Sequence, residues 1–397
     1  MRILHVMRSF DPAGGGPIEG VRRLALGYHE AGHEVEVVTL DDPAAPFLVD
    51  APLPVHAQGP ANGKYGYSPR LLPWLRANLP RFDGVVMNGL WQYHGLAAWR
   101  ACKGRIPYAV FPHGMLDPWF KRTYPLKHLK KWPYWALIEY RLLRDATRVL
   151  FTSEAEQRLA ADSFWLHKWR GEVVPYGTPG PKGDADALRA AFYAACPELR
   201  DQRFLVFLGR IHVKKGCDLL VKAFGRIASG DPALHLLIAG PDQTGWAKDL
   251  KGMAARVGIT DRLHWPGMLT GDAKWGALYA SEAFILPSHQ ENFGISVAEA
   301  LSCGRAVLIS DQINIHAEIA KDGAALVEKD TPEGTERLMR RWLELNPSER
   351  TRMGGAARRC FEARYDSGRL AAAIAAVLAS GREDETEARQ VIRTAGA

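Results

Sequence analysis

Two series of apolar strands that alternate with amphipathic helices most constrain how this chain can fold. The first series opens with an apolar run at 3–7, a glycine-rich turn and a helical apolar pattern, and the second opens at Phe204. Between them, residues 175–186 hold three glycines and three prolines, a composition typical of a linker. The alternation predicts an α/β protein with two Rossmann-like lobes that face a central cleft, where ligands bind at the carboxyl ends of the strands.

The same patterns predict individual elements. Strands are predicted at 3–7, 35–40, 84–87, 108–111, 148–152, 204–209, 234–240, 262–267, 283–286 and 306–309. Helices are predicted after the first glycine turn, from Ser153, and at 218–227, 245–257, 293–302 and 367–380. The polar residues 381–397 are predicted to lie outside regular structure.

The length of 397 residues fits two domains better than one core. We expect an acceptor-binding lobe at 1–178, a nucleotide-binding lobe at 187–366, and a crossover helix with a polar tail at 367–397. Hydrophobic residues make up 47% and charged residues 24%, which excludes disordered, collagen-like and disulfide-scaffold chains.

The cysteines and the apolar runs indicate the cellular compartment in which the protein is expected. Five cysteines, an odd number without a CxxC pair, argue against a disulfide framework or a zinc knuckle and favour a reducing compartment. The longest apolar runs are shorter than a membrane-spanning helix requires. We therefore expect a cytoplasmic protein, with a peripheral contact at the inner face of the cytoplasmic membrane left open.

Residues 287–304, PSHQENFGISVAEALSCG, are the most informative stretch. Glu291 precedes the predicted helix and Glu299, eight positions later, lies inside it. Backbone N–H groups at a helix start hold oxygen-rich or anionic ligands, and carboxylates accept hydrogen bonds from sugar hydroxyls. The alternative is a surface turn with two solvated glutamates, and spacing alone does not decide between the two.

A second stretch, GRIHVKKG at 209–216, directly follows a predicted strand. Arg210 and Lys215 leave the end of that strand, where a guanidinium and an ammonium can neutralise a diphosphate. The alternative is a basic surface loop, which is the commoner location for such residues.

These two stretches, with GGGPIEGVRRLALGYHEAGHEVEVVT near the start, resemble the retaining glycosyltransferases of family 4, which have the GT-B fold. The resemblance extends to about residue 375. It implies that the last helix crosses back to the N-terminal lobe and that lobe closure assembles the site. It also implies donor binding through the C-terminal lobe and acceptor binding through the N-terminal lobe.

The resemblance also implies roles for single residues, matched by position. Gly15 and Gly16 bring backbone N–H groups to the donor diphosphate, and Arg210 and Lys215 clamp it as it leaves. Glu291 and the N–H groups of Phe293 and Gly294 contact the transferred sugar, Glu299 binds the ribose, and His113 approaches the sugar. Without the resemblance, a buried histidine bonded to the backbone would be the simpler interpretation of His113.

The implied chemistry is transfer from a nucleotide sugar, such as a UDP- or GDP-sugar, with retention at the anomeric carbon. Protein cations can stabilise the negative leaving group, so no metal and no other cofactor is expected. The resemblance favours a front-face mechanism in which the leaving phosphate takes the acceptor proton. The sequence DAD at 184–186 mimics a metal-binding motif, but it lies in the linker and we interpret it as a solvated turn.

The chain departs from the family at two positions. Asn88 stands where histidine is often found, and Tyr176 stands where asparagine is frequent. These departures bear on the details of acceptor binding and of the hinge between the lobes, and not on the reaction class. The base is expected to be selected by the loops around 240–243 and 267–269.

The net charge of +7 is concentrated in one segment, residues 118–148. This segment holds eight Lys or Arg and two acidic residues, with Trp119, Phe120, Trp132, Tyr134 and Trp135 interleaved. The mixture suits an anionic membrane surface, and with the resemblance it suggests a polyprenyl-diphosphate-linked acceptor. A solvated face with its aromatics packed inward remains the alternative, and no RNA-binding motif supports nucleic acid as the partner.

Rival functions stay open at this point. A GT-B epimerase would convert a nucleotide sugar without an acceptor, and a phosphorylase would need a phosphate site or a pyridoxal phosphate lysine. An NAD-dependent oxidoreductase is a different class, but the first turn, GGGPIEG, is not GxGxxG. A non-catalytic glycan-binding homologue would not require both glutamates and the Arg–Lys pair.

Overall fold

The structure is a computed structural model that describes residues 1–14 and 16–395. The chain divides into two compact units. The first unit comprises Met1–Gly177 together with Ser367–Ala397, and the second comprises Thr178–Asp366. Residues from Ser367 onward therefore belong to the first unit.

The described residues form thirteen β-strands. They are β1 (Arg2–Val6), β2 (Glu34–Thr39), β3 (Val55–Ala57), β4 (Gly84–Asn88), β5 (Tyr108–Phe111), β6 (Arg148–Phe151), β7 (Gly171–Val173), β8 (Arg203–Leu208), β9 (Leu234–Ala239), β10 (Leu263–His264), β11 (Ala283–Leu286), β12 (Val307–Ser310) and β13 (Ala325–Glu328).

The same part of the chain forms sixteen α-helices. They are α1 (Gly16–Glu30), α2 (Leu71–Asn78), α3 (Tyr93–Cys102), α4 (Trp119–Thr123), α5 (Pro125–Tyr134), α6 (Tyr140–Asp145), α7 (Glu154–Ala161), α8 (Ala185–Ala195), α9 (Cys217–Ile227), α10 (Ala247–Arg256), α11 (Gly271–Ala280), α12 (Ile295–Ser302), α13 (His316–Lys321), α14 (Pro332–Glu344), α15 (Pro347–Cys360) and α16 (Leu370–Ala395). Two π-helical turns, Trp135–Glu139 and Phe361–Tyr365, interrupt this series.

The first unit is built on a parallel sheet of order β3-β2-β1-β4-β5-β6-β7. Its central strands are buried on both faces, as in β4, where Gly84–Asn88 are all buried. Continuous apolar strands of this kind are typical of parallel sheets covered by helices on both sides. The sheet confirms the Rossmann-like lobe that the first strand–helix series predicts.

The second unit is built on a parallel sheet of order β10-β9-β8-β11-β12-β13. Its first strand, β8, lies between β9 and β11, so the strand order reverses there. A reversal of this kind is the topological switch point at which open α/β sheets bind ligands, outside the carboxyl ends of the strands. The second Rossmann-like lobe is therefore also confirmed.

The C-terminal helix α16 packs within the first unit. A Cβ atom at Gly84 of β4 would lie 2.8 Å from Cδ1 of Leu378, so the small residue allows the helix to approach the sheet. Arg382 forms an ion pair with Asp83. The helix continues to Ala395, so the prediction that 381–397 lie outside regular structure is wrong for 381–395, and 396–397 lie outside the described residues.

The linker region contains a helix that the sequence patterns did not reveal. Asp184 is the N-cap of α8, and its carboxylate accepts hydrogen bonds from the N–H groups of Asp186 and Ala187. A capping aspartate favours a helix start, and here it follows the Pro/Gly stretch immediately. The DAD sequence is therefore a helix start and not a solvated turn.

Two further observations concern the whole of the described chain. All five cysteines are buried, and none of them forms a disulfide bond within the described residues. None of the helices within the described residues is long and apolar enough to span a membrane.

Candidate active site

The loops that follow β8 and β11 are docked against each other in the second unit. Gly216 has a φ of +68°, and a Cβ atom there would lie 2.3 Å from the carbonyl oxygen of Pro287. The N–H group of His289 donates to the carbonyl oxygen of Lys214 over 2.9 Å. Only glycine permits both the left-handed backbone and this approach. The two stretches singled out by the sequence, 209–216 and 287–294, therefore form one structure.

Lys215 and Glu291 meet in this structure. The Lys215 ammonium forms an ion pair with the Glu291 carboxylate, and both side chains are less than one-fifth exposed. Burial and the positive charges of Lys214 and Arg210 lower the pKa of Lys215. The carboxylate of Glu291 opposes this shift because it favours the charged ammonium. Arg210 itself is exposed, directly after β8, so its charge is available to a ligand from solvent.

The backbone of Glu291 is fixed on both sides. Its N–H group donates to the carbonyl oxygen of Gln312 over 3.0 Å, and its carbonyl oxygen accepts from the N–H group of Asn314 over 3.1 Å. Gly294 has a φ of +77° and ends the turn directly before α12. The helix starts at Ile295 and not at 293, so Gly294 is its N-cap and Phe293 precedes it.

The Phe293 side chain is buried and is not accessible to a ligand. Its ring is buried and packs edge-on against Tyr365, with 5.6 Å between the ring centroids. The first turn of α12 contributes N–H groups that have no partner within the helix, as at any helix start. Such a start carries a partial positive charge and attracts oxygen-rich ligands. The 291–295 turn can therefore offer backbone donors beside the Glu291 carboxylate.

Glu299 lies on α12 and is paired with a residue that the sequence did not suggest. Its carboxylate accepts from the Lys274 ammonium over 2.8 Å, and the two side chains are 6% and 17% exposed. Lys274 lies on α11, and its ammonium also lies 4.2 Å from the ring centroid of Trp275. Each glutamate thus has its own lysine.

The loops after β9 and β10 join the same edge of the second sheet. A Cβ atom at Gly240 would lie 1.8 Å from the carbonyl oxygen of Gly209, so only glycine fits there. The N–H group of Gly240 donates to the carbonyl oxygen of Gly267 over 2.8 Å, and Ile211 donates to Pro241 over 3.0 Å. The carboxyl ends of β8, β9 and β10 are thus tied together by backbone contacts. The loops around 240–243 and 267–269 lie at this edge.

His113 lies in the first unit, directly after β5. It adopts a left-handed φ of +50°, and its ring stacks on Phe111 with 5.2 Å between the centroids. Its Nε2 atom lies 3.1 Å from Oδ1 of Asn88, a residue at the end of β4. A non-glycine residue in this conformation is uncommon and is found more often at functional sites.

Asn88 joins His113 to a buried hydrogen-bond network. Its Nδ2 atom lies 3.2 Å from Nδ1 of His5 and donates to the carbonyl oxygen of Val86, while Nε2 of His5 lies 3.0 Å from the Tyr28 hydroxyl. Because the amide nitrogen faces these acceptors, Oδ1 is left to accept from the Nε2–H group of His113. Asn88, which departs from the family pattern, therefore orients the histidine.

The histidines of this network are neutral at pH 7. Burial lowers the pKa of His113 to about 4. Burial, followed by the proximity of His113, lowers the pKa of His5 to about 3. A neutral His113 presents hydrogen-bonding atoms without a charge.

The remaining predicted residues are at the start of the first unit. Gly16 is the first residue of α1, which follows β1, and Gly15 lies outside the described residues. Tyr176, the second departure from the family, packs its hydroxyl against α1, since a Cβ atom at Gly20 would lie 2.3 Å from it.

A buried glutamate in the first unit also escaped prediction. Glu139 is 1% exposed and ends the π-helical turn, and its Oε1 atom accepts from the N–H group of Trp91 over 2.6 Å. Its Oε2 atom has no hydrogen-bond partner among the described residues. Trp91 has a φ of +72° in the loop after β4. The only sequence signal was a single acid within the apolar run WALIEYRLL.

No metal site accompanies these groups in the described part of the chain. There, no cluster of three or more His, Cys, Asp or Glu residues is arranged to hold a metal ion.

Known protein families match both units. A model described as "Glycosyl transferase 4-like domain" matches residues 15–177, and one described as "Glycosyl transferases group 1" matches residues 195–360. The GDP-mannose:cellobiosyl-diphosphopolyprenol alpha-mannosyltransferase of Xanthomonas oryzae pv. oryzae is 27% identical over 321 residues, which cover 78% of this chain and 79% of that one. The D-inositol 3-phosphate glycosyltransferase of Geodermatophilus obscurus is 29% identical over 206 residues. That match covers 49% of this chain and only 45% of the relative's length.

Solved structures share the fold at low identity. Sucrose-phosphate synthase from Thermosynechococcus elongatus has a TM-score of 0.76 at 20% identity, covering 96% of this chain and 99% of that one. Anabaena HepE in complex with UDP and glucose has a TM-score of 0.75 at 17% identity, covering 96% and 100%. WaaG, a glycosyltransferase involved in lipopolysaccharide biosynthesis, has a TM-score of 0.66 at 17% identity, covering 95% and 99%. Since the two family models together span most of the sequence and the fold agrees, the chain belongs to the group 1, family 4-like glycosyltransferases and has their GT-B fold.

Proposed function

We propose that this chain moves a hexose-type sugar, with retention, from a nucleotide sugar to a hydroxyl group of a glycan or lipid-linked glycan acceptor in cell-surface polysaccharide synthesis. One observation carries the proposal. The docked loops 209–216 and 287–294 bring two cations and a carboxylate to the carboxyl edge of the second sheet, beside the start of α12. A diphosphate and a sugar need this combination of cations, backbone donors and a carboxylate acceptor.

In this proposal the second unit binds the donor. Arg210 and Lys215 contact the diphosphate, Glu291 accepts hydrogen bonds from hydroxyls of the transferred sugar, and Glu299 binds the ribose. The N–H groups of Phe293 and Gly294 contribute further donors to the sugar. The names of two similar proteins support this donor class, since one relative is named for GDP-mannose and one structure contains UDP and glucose.

The first unit contributes Gly15, Gly16 and His113. The glycines allow the backbone at the start of α1 to approach the diphosphate closely. His113 approaches the transferred sugar as a neutral group, because burial keeps its pKa near 4. It therefore positions the sugar and does not donate a proton to it at pH 7.

The reaction balances without a further reactant. The bond from the anomeric carbon to the diphosphate oxygen breaks, and a bond from the acceptor oxygen forms on the same face. The acceptor proton passes to the departing phosphate oxygen. Because negative charge develops on the diphosphate, cations already held nearby lower the barrier more than they stabilise the bound donor.

A thermal-shift panel with UDP, GDP, ADP and NAD tests the proposal. A ligand at a hundredfold excess over its Kd stabilises the folded state by about 2.7 kcal/mol, so one nucleoside diphosphate is expected to raise the Tm by about 3 °C or more. A response to NAD alone would favour the oxidoreductase. Conversion of a nucleotide sugar without any acceptor would favour the epimerase.

The acceptor side is proposed to meet an anionic membrane surface through residues 118–148. The structure corrects which apolar residues are available, since Trp135 is fully buried and Trp119, Phe120, Trp132 and Tyr134 are partly buried. The exposed large hydrophobic residues in or beside this segment are Tyr124, Leu126, Leu129, Leu137 and Trp165. Exposed basic residues accompany them, namely Lys121, Arg122, Lys127, Lys130 and Arg141.

This combination fits a lipid surface better than an ordinary solvated face. Leu126 and Leu129 are 75% and 65% exposed on a helix that also carries exposed lysines. Apolar residues inserted at the lipid boundary and lysines near anionic headgroups both favour binding, at about 1 kcal/mol per lysine. A polyprenyl-diphosphate-linked acceptor, such as the one in the name of the Xanthomonas relative, would be presented at this surface.

Liposome flotation tests the membrane contact. We expect the protein to float with anionic vesicles and not with neutral ones. Replacing Leu126 and Leu129 together by serine should lower the bound fraction about tenfold, since two apolar side chains lose their burial in lipid. Val49→Ser, at an exposed residue remote in sequence, serves as the control. Equal recovery with both vesicle types, or no recovery, would refute the contact.

A further inference from the structure

The pair formed by Lys274 and Glu299 has no role for its lysine in the function proposed above. The ammonium and the carboxylate are 2.8 Å apart, and the glutamate side chain is only 6% exposed. A second pair in the same unit, Lys222 and Asp218, has the same 2.8 Å separation, but its lysine is 42% exposed. The Lys274–Glu299 pair is thus much more buried than an ordinary surface ion pair.

The position of the pair in the fold points to a ligand. Helix α11 carries the chain from the edge strand β10 back to β11, and α12 leaves β11 directly beside the switch point of the sheet. Lys274 is the fourth residue of α11 and Glu299 the fifth of α12, so both lie within about the first one and a half turns of helices that follow the carboxyl ends of strands. The pair joins the two helices at the edge where an open α/β sheet binds its ligand.

The chemistry of the pair suits a hydroxyl group. A carboxylate this deeply buried would be strongly disfavoured as an ion without a cation beside it. An ammonium has three N–H groups, so Lys274 can donate to Glu299 and also to a ligand oxygen. A hydroxyl placed beside the pair, within reach of both groups, can donate to the carboxylate and accept from the ammonium at the same time.

We propose that Lys274 is a positioning residue for the nucleotide ribose, holding Glu299 in place and donating to a ribose hydroxyl oxygen, and this rests on the function proposed above. Lys274 thereby contributes to the selection of ribonucleotides. A site that accepts a hydrogen bond from a hydroxyl and also donates one to it binds a deoxy ligand poorly, because the carboxylate and the ammonium of the site then lose that hydrogen-bond partner.

Calorimetric titration of UDP and GDP, each against its 2′-deoxy and 3′-deoxy forms, tests the inference. The unmodified enzyme is expected to prefer the ribonucleotide by about tenfold to a hundredfold over at least one deoxy form. Lys274→Met should lower ribonucleotide affinity to the deoxy level, so that the preference disappears. Lys274→Arg, which keeps a cation, should retain part of it, and Lys222→Met should retain all of it.

The outcomes separate this inference from the proposed function. Equal weakening of ribonucleotide and deoxynucleotide binding in Lys274→Met, with the preference intact, indicates a structural role and overturns the inference. Binding of UDP or GDP to the unmodified enzyme without any preference also overturns it, while the proposed function stands. Failure of the unmodified enzyme to bind either ribonucleotide overturns both. If Lys274→Met does not fold, a reduced preference in Lys274→Arg supports the inference, and an undiminished preference there overturns it.

Discussion

Arg210→Ala is expected to lower the rate of sugar transfer about a hundredfold to a thousandfold, the cost of removing one group that stabilises a developing negative charge. Arg210 directly follows β8 and is exposed, so its removal leaves the packing of the second unit unchanged. The loss should fall mainly on kcat, because the diphosphate gains charge only as the sugar leaves.

Lys215→Ala is expected to lower the rate to a similar degree, but by a less direct route. Its removal also leaves the partly buried Glu291 carboxylate without its cation, so some loss of stability accompanies the loss of activity. Arg210→Ala is therefore the cleaner test. Arg226→Ala is the matched control, since Arg226 is an exposed arginine of the same unit paired with Glu333 and Glu336. Near-normal turnover by both Arg210→Ala and Lys215→Ala would refute the diphosphate clamp.

Sequence patterns were sufficient where local chemistry determines structure. Apolar runs such as Ala283–Leu286 and Tyr108–Phe111 are strands with the predicted bounds. Because both faces of these strands are buried, nearly all their residues are apolar, and a continuous apolar run can be recognised in a single sequence. The glycines at 216 and 294 mark turns because no other residue tolerates their φ angles without strain.

Sequence patterns were insufficient where two distant segments create the feature. Lys274 precedes Glu299 by 25 positions on a different helix, and only the fold of the second unit brings the two side chains together. The role of Asn88 likewise depends on β1, β4 and β5 being neighbours in the sheet. The sequence pointed to the aromatic residues of 118–148 as the membrane contact, whereas the exposed apolar residues of α5 are leucines.

The buried Glu139 leads to the second large expected effect, on stability. Burial raises the pKa of Glu139 to about 7. The hydrogen bond from the Trp91 N–H group and, after it, the positive charge of Lys131 lower this pKa, but burial has the larger effect. In the unfolded chain a glutamate titrates near 4.3. Between these values the folded state holds a proton that the unfolded state has released, so the free energy of unfolding falls as the pH rises from about 4.5 to about 7. This loss amounts to at most about 4 kcal/mol.

Glu139→Gln should remove that pH dependence. The glutamine keeps an oxygen that accepts from the Trp91 N–H group but has no charge to bury. The variant and the unmodified protein should be equally stable near pH 5, and the variant should be more stable by about 1 to 3 kcal/mol at pH 8. Urea unfolding followed by circular dichroism at pH 5, 6, 7 and 8 measures this difference.

Comparison with the variant isolates Glu139 because every other titrating group is common to both proteins. Glu30→Gln, at an exposed position at the end of α1, is the matched control and should show no difference that grows with pH. A constant difference across the pH range would mean that Glu139 titrates alike in the folded and unfolded states. A variant less stable at pH 8 would mean that the carboxylate is stabilised by its surroundings, and Lys131, whose ammonium lies 4.2 Å from the Trp91 ring centroid, would then be the cation responsible.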